Sequence, residues 1–192
     1  DTIFINEGKF NFLNGKILLS GFVFDTSFNI NAKISKLKPD KVIEITGNFN
    51  IYGNFNSNLN ITFSNTKVIY DTFNFENLSG TIYSKNYKNF EISKLIINDK
   101  NVVGEIVGSY NLEKQKGNLN LNLSYVNLGK FNNFIKGSCN FLGNLKIEKN
   151  HFEIFGDGNF SKLSYENYHL ESGIYKIHLI DSFINFQTKL LS

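Results

Sequence analysis

Between Ile43 and Phe63 the chain alternates apolar and polar residues with a strict period of two. Odd positions carry Ile43, Ile45, Phe49, Ile51, Phe55, Leu59, Ile61 and Phe63, with Gly47 and Gly53 as spacers and Ser57 as the single polar intruder. Even positions carry Glu44, Thr46, Asn48, Asn50, Asn54, Asn56, Asn58, Asn60 and Thr62, with Tyr52 as the amphipathic exception. Successive side chains of a strand point to opposite faces, so the run predicts sheet with one apolar and one solvated face. Its 21 residues exceed the ordinary strand length of about 3–10, which predicts a break at Asn56-Ser57-Asn58 with the same face kept inward on both sides.

Strand-like runs fill most of the remainder: 16–24, 28–34, 68–75, 78–83, 90–97, 102–112, 117–125, 135–147, 152–160, 162–165, 169–179 and 183–190. Turn residues lie between them, and the Asn14-Gly15 step is the strongest hairpin signal. Residues 10–15 read as turn, and no strand is assigned before Lys16. The only helical spacing is Phe131, Phe134 and Ile135 within Lys130–Ile135, with Gly129 as its N-cap. Gly47–Asn54 matches Gly137–Asn144, and Asn77–Tyr83 matches Leu170–Tyr175, which points to internal repeats near 43–97 and 133–190. Residues 1–192 therefore read as a single elongated β array to which sheet is added rung by rung. The start at Asp1 without a methionine reads as a piece of a longer protein.

Composition excludes several function classes. The 15% aromatic content, 20 Phe and 9 Tyr without Trp, suits strands. All 20 basic residues are lysine, scattered among 17 acids, so neither a clustered basic footprint nor arginine forks are present for nucleic acid. Apolar runs such as Ile17-Leu18-Leu19 fall far short of the roughly 20 residues of a membrane-spanning helix. Four Asn-x-Ser/Thr sequons, at Asn60, Asn77, Asn122 and Asn159, match the number chance gives in so Asn-rich a chain. Cys139 is the single cysteine, so no internal disulfide forms, and its position in the apolar phase reads as a small core residue.

Catalytic and metal-ligating patterns are absent from the sequence. His151, His169 and His178 lack the spacing of helix-borne metal pairs, and no second cysteine completes a zinc set. No nucleophile elbow, phosphate loop or dinucleotide fingerprint occurs, and Gly156-Asp157-Gly158 lacks the carboxylates of a calcium loop. Glu44, Glu91, Glu105 and Glu153 are isolated acids of a solvated sheet face. The expectation is a protein without enzymatic activity, cofactor or metal.

The long alternating strands, the paired glycines Gly47/Gly53 and Gly137/Gly143, and the phrase Asn77-Leu78-Ser79-Gly80-Thr81-Ile82 leading into Phe90–Leu95 resemble the TamB/AsmA-like envelope proteins over nearly the whole chain. The resemblance implies an all-β, curved, antiparallel sheet folded lengthwise into a U-shaped, taco-like trough with an apolar inner face. It also implies a place in the periplasm or cell envelope of a diderm bacterium, with the parent anchored in the inner membrane by a segment this chain lacks. The implied roles are transport of phospholipid between membranes and assistance to outer-membrane protein assembly beside a barrel partner of the TamA type.

Physical chemistry gives the same wall a reason to be occupied. On the order of fourteen strands stacked about 4.8 Å apart make a trough roughly 65 Å long, and an apolar lining closes on itself, binds a ligand or meets a partner. The candidate lining residues are Phe49, Ile51, Phe55, Leu59, Ile61, Phe63, Leu119, Leu121, Leu123, Phe141, Leu145, Ile147, Phe152 and Ile154. The resemblance implies phospholipid or another amphipathic lipid as the ligand. Two alternatives stay open: a secreted repetitive β adhesin whose apolar phase is plain core, and an outer-membrane barrel whose apolar phase points into lipid.

Overall fold

Alternation this persistent leaves the chain one economical structure, a succession of hairpins. The structure, a computed structural model, describes residues 2–190, and these hold thirteen strands and one 3₁₀ turn. The chain divides into two units, Asp1–Asp99 and Lys100–Ser192. The first contains β1 (Thr2–Phe12), β2 (Gly15–Phe24), β3 (Ser27–Leu37), β4 (Ile43–Asn54), β5 (Asn58–Tyr70), β6 (Phe73–Ser84) and β7 (Asn89–Asn98). The second contains β8 (Val102–Asn111), β9 (Lys116–Asn127), β10 (Ile135–Glu148), β11 (His151–Tyr165), β12 (Tyr168–Ile180) and β13 (Phe183–Leu190). Within each unit every strand pairs antiparallel with the next, and among the described residues neither unit returns its last strand to its first. The all-β, antiparallel expectation is met. Among the described residues no helix is long and apolar enough to cross a membrane, which says nothing of strands.

The opening run breaks where its sequence indicates. β4 ends at Asn54, β5 begins at Asn58, and the pairs Phe49/Phe63, Ile51/Ile61 and Gly53/Leu59 place the odd positions of both strands on one face. The β1–β2 hairpin also forms, with Leu13 and Asn14 as its central residues at φ 46° and 60° and Phe12 opposite Gly15. Two successive positive φ values make the turn whose twist matches that of the strands.

Other boundaries differ from the sequence reading, mostly for one reason. Single residues at positive φ, Lys36 in β3, Asn65 in β5, Asn77 in β6 and Lys162 in β11, sit where the registers shift. Each is a β-bulge, which adds one residue and exchanges the odd and even phases of its strand. Thus β5 carries Leu59, Ile61 and Phe63 on the same face as Thr66, Val68 and Tyr70. Runs that look separate in sequence, 59–63 and the start of 68–75, are one strand, as are 152–160 and 162–165.

Two corrections concern local chemistry. Residues 2–12 form β1, although the sequence reading assigns no strand before Lys16. At Lys130–Ile135 no α-helix forms; a single 3₁₀ turn, Leu128–Lys130, precedes it. Asn127, not Gly129, caps that turn, its Oδ1 accepting from the Gly129 N–H at 3.1 Å, and Asn132 Oδ1 accepts from the Phe134 N–H at 2.8 Å. Asparagine side chains here take the backbone donors that a helix would need.

Candidate functional site

The cross-strand registers assemble the apolar phase into rows running perpendicular to the strands. In the first unit Ile30, Ile51, Ile61, Ile82 and Ile92 stand opposite one another across β3 to β7. The adjacent row is Leu19, Ala32, Phe49, Phe63, Gly80 and Leu95. In the second unit Gly108, Leu119, Leu145, Ile154, Leu179 and Ile184 form one row across β8 to β13. Ile106, Leu121, Gly143, Gly156, Ile177 and Phe186 form the next. Directly opposed aliphatic and aromatic pairs are the unit of sheet stabilisation, so each row is also a cohesive element.

Glycine is confined to this side. Fourteen of the fifteen glycines share the apolar phase, and Gly129 in the 3₁₀ turn is the exception. Their missing Cβ atoms leave slots that neighbouring rings fill. A Cβ on Gly80 would lie 2.8 Å from Phe63 Cζ, and one on Gly117 would lie 2.7 Å from Tyr110 Cδ2. One on Gly173 would lie 2.6 Å from Phe160 Cε1. The glycines matched in sequence, Gly47 and Gly137, both face a bulge on the following strand, at Thr66 and Lys162 respectively.

The apolar face is only partly covered. The fully buried apolar residues, Phe28, Ala32, Leu78 and Ile97 in the first unit and Val102, Phe160 and Tyr175 in the second, all lie in this phase. The other side chains of the rows are half-buried or exposed. The chain leaves 12763 Å² accessible. A compact chain of its mass would expose about 9,300 Å², and two separate compact halves about 11,200 Å².

Each expected wall residue has a definite place. Phe49 and Ile51 on β4 and Leu59, Ile61 and Phe63 on β5 are half-buried neighbours, with the Phe49 and Phe63 rings 6.0 Å apart. Phe55 lies in the β4–β5 turn, 55% exposed, with its ring 4.7 Å from that of Phe28. In the second unit Leu119, Leu121 and Leu123 on β9, Phe141, Leu145 and Ile147 on β10 and Ile154 on β11 are half-buried and adjoining. Phe152, opposite Ile147, is exposed. The sequence reading omits Ile30, Ile82 and Ile92 in the first unit and Leu179, Ile184 and Phe186 in the second. Only the registers reveal them as members of the same rows.

The opposite face is mainly polar, although Leu18, Phe22, Leu142, Phe155 and Ile174 are exposed on it, and it carries its own network. Asn50 Nδ2 donates to Asn29 Oδ1 at 2.7 Å and to Asn31 Oδ1 at 3.0 Å, and Asn144 Nδ2 donates to Asn120 Oδ1 at 2.9 Å. Glu153 accepts from Lys146 Nζ at 3.2 Å and meets His178 Nε2 at 2.7 Å. Those two partners, His178 foremost, hold the Glu153 carboxyl below its ordinary value. Asp181 is lowered likewise by His151, 2.8 Å away, and by the Phe152 N–H. On the apolar side, burial raises the Tyr175 phenol, whose O–H donates to the Asn140 carbonyl at 2.6 Å, and burial also raises the Cys139 thiol.

Shallow depressions open mainly over the polar face. One is lined by Leu18, Ser20, Asn31, Lys33, Asn50 and Thr62, and reaches Phe49 and Phe63. Another is lined by Asn122, Asn140, Asp157, Asn159 and Lys176, and reaches Leu123 and Phe141. Among the described residues no three His, Cys, Asp or Glu side chains gather in a metal-binding group. Comparison with family models, with curated proteins and with solved structures gives no match for this chain.

Proposed function

We propose that this chain is a non-enzymatic lipid conduit whose apolar sheet face receives the acyl chains of phospholipid or a similar amphipathic lipid. The observation that carries the reading is the combination of unbroken apolar rows with incomplete burial of the residues that form them. A row crossing six strands spans roughly 24 Å, and the hydrocarbon of one bilayer leaflet is about 15 Å deep, so each unit offers length enough for one acyl chain. Each methylene taken from water onto such a row gains about 0.8 kcal/mol.

A U-shaped trough with this face inward fits the glycine distribution. Side chains on the inside of a curled sheet crowd, and removing the Cβ at fourteen positions of one phase relieves the crowding on that side alone. The envelope setting, the inner-membrane anchor of the parent, the barrel partner of the TamA type and a share in outer-membrane protein assembly rest on the resemblance of the sequence to TamB/AsmA-like proteins.

The polar-face depressions favour a second reading, a repetitive β adhesin in which the apolar phase is plain core. Native mass spectrometry of the chain purified without detergent separates the two. Co-bound phospholipid, lost in a folded Ile51→Asp variant, supports the conduit. A chain that carries no lipid and takes up none from phospholipid vesicles contradicts it.

A further inference from the structure

The polar face of the first unit carries a row of side chains that sheet stability does not account for. The registers place Phe22 on β2, Asn29 on β3, Tyr52 on β4, Asn60 on β5 and Tyr83 on β6 opposite one another in succession. Rings thus stand on every second strand, with an amide between each two. Phe4 on β1 adjoins Phe22 at one end of the row, and Glu91 on β7 adjoins Tyr83 at the other. Rings that stabilise a sheet face one another across neighbouring strands, as Phe49 and Phe63 do on the apolar side. Tyr52 instead has asparagine on both sides, and Phe22 and Tyr52 are exposed on a wet face. Two residues further along the strands, Ser20, Asn31, Asn50, Thr62 and Thr81 form a parallel row of hydroxyls and amides, one on each strand from β2 to β6. Neither row holds a charge between β2 and β6. The polar face of the second unit differs: Lys146, Glu153, Asp157, Lys176 and His178 charge it, and no such alternation of rings crosses its strands.

We infer that this double row binds a neutral glycan of β-pyranoses joined from the first to the fourth carbon, laid across the strands of the first unit. Successive rings of the row are two strand spacings apart, about 9–10 Å. A pyranose joined through equatorial oxygens at opposite ends of its ring, with bonds of about 1.5 Å, advances its chain about 5 Å. One sugar therefore falls on each strand. Neighbouring sugars of such a ribbon are turned over relative to each other, so every second one presents the same face, and every second strand carries a ring to receive it. The axial C–H bonds of that sugar meet the negative face of the ring, as the positive edge of a second aromatic would. The sugars between lie over Asn29 and Asn60. Hydroxyls along one edge of the ribbon point toward the row from Ser20 to Thr81, about 7 Å away along the strands. An α-linked chain bends at every sugar and loses this register. A charged ligand finds no counter-charge from β2 to β6. The site lies on the face opposite the proposed lipid-bearing rows and stands whether or not those rows carry lipid.

Isothermal titration calorimetry of the whole chain with cellohexaose, chitohexaose and α-linked maltohexaose tests the site. The expected result is binding of a β-linked hexaose and none of maltohexaose. Tighter binding of chitohexaose identifies the N-acetylated chain as the ligand, and tighter binding of cellohexaose the plain glucan. Affinity should rise from the disaccharide, which covers one ring, to the pentasaccharide, which covers all three, and then level off. Tyr52→Ala, shown by circular dichroism to be folded, weakens binding at least about fivefold, whereas Tyr52→Phe keeps the ring and binds as the parent does. Phe155→Ala, on the polar face of the second unit, leaves the affinity unchanged. No binding of either β-linked hexaose at millimolar concentration, equal binding of maltohexaose, or a Tyr52→Ala variant that binds as the parent does overturns the proposal.

Discussion

Gly173→Ala tests whether ring-over-glycine packing holds the second unit's apolar face together. Gly173 stands opposite Phe160, which is 4% exposed, and an added Cβ would meet Phe160 Cε1 at 2.6 Å and the Lys189 carbonyl oxygen at 2.8 Å. The methyl therefore displaces the ring. Overpacking of this kind costs about 1–3 kcal/mol, and the loss of unfolded-chain entropy returns about 0.4–1, leaving a net destabilisation of about 1–2 kcal/mol. Burying a phenyl group removes about 150–250 Å² from water, about 4–6 kcal/mol at most by area, so Phe160→Ala alone should cost about 3–5. With the ring absent, one obstacle to the methyl is gone and the Lys189 carbonyl oxygen at 2.8 Å remains. Gly173→Ala should then cost about 1 kcal/mol less in the Phe160→Ala background than in the parent, a coupling of about 1 kcal/mol. Equilibrium urea unfolding followed by far-ultraviolet circular dichroism on the four proteins measures it. A stabilising Gly173→Ala, or costs that add to within about 0.5 kcal/mol, would refute the packing argument.

Three further outcomes are expected. Gly137 sits at φ 117° with the Lys162 carbonyl oxygen 2.6 Å from where a Cβ would go, so Gly137→Ala should lower stability by at least about 1–3 kcal/mol in urea unfolding. Tyr175→Phe removes the hydrogen bond to the Asn140 carbonyl and should cost about 1 kcal/mol in the same assay, with the ring's packing intact. Glu153 and Asp181 are held below their ordinary values of 4.5 and 3.8, so their contribution is fully present above those values and is lost as pH falls through the lower folded ones. Both are only half-buried, so the effect is small and salt-sensitive. Acid unfolding curves of Glu153→Gln should be flatter below pH 4.5 than those of the parent, and raised salt should narrow the difference.

The sequence carries the strands and the common face of the central run because β4 has no bulge: its phase from Ile43 to Asn54 is unbroken, so pattern and structure coincide. β5 and β11 read as two pieces each because Asn65 and Lys162 exchange phase within one strand, and nothing in a period of two announces a bulge. The turn at Asp71-Thr72 is hidden by strand-forming neighbours on both sides, which merges the end of β5 with the start of β6. Residues 2–12 escape because Gly8 and the irregularity beside Glu7 break the alternation of β1, and because Phe10 to Gly15 combines strand and turn in one stretch. Of the candidate wall, the members on β4, β5, β9 and β10 were legible as apolar phase. Their row partners Ile30, Ile82 and Leu179 become visible only when register shows which residues stand opposite, a relation between strands that no single strand encodes.

The lipid-bearing face is tested most directly by phase-resolved photo-crosslinking. A photoreactive phenylalanine analogue is placed singly at Phe49, Ile61, Leu121 and Phe141 in the apolar phase, and at Asn50, Thr62 and Asn120 in the polar phase of the same strands. Phospholipid adducts are then read by mass spectrometry. Capture from the apolar positions, with little from their immediate neighbours, is the predicted result. No adduct at any position, or equal capture from both phases, would contradict the account.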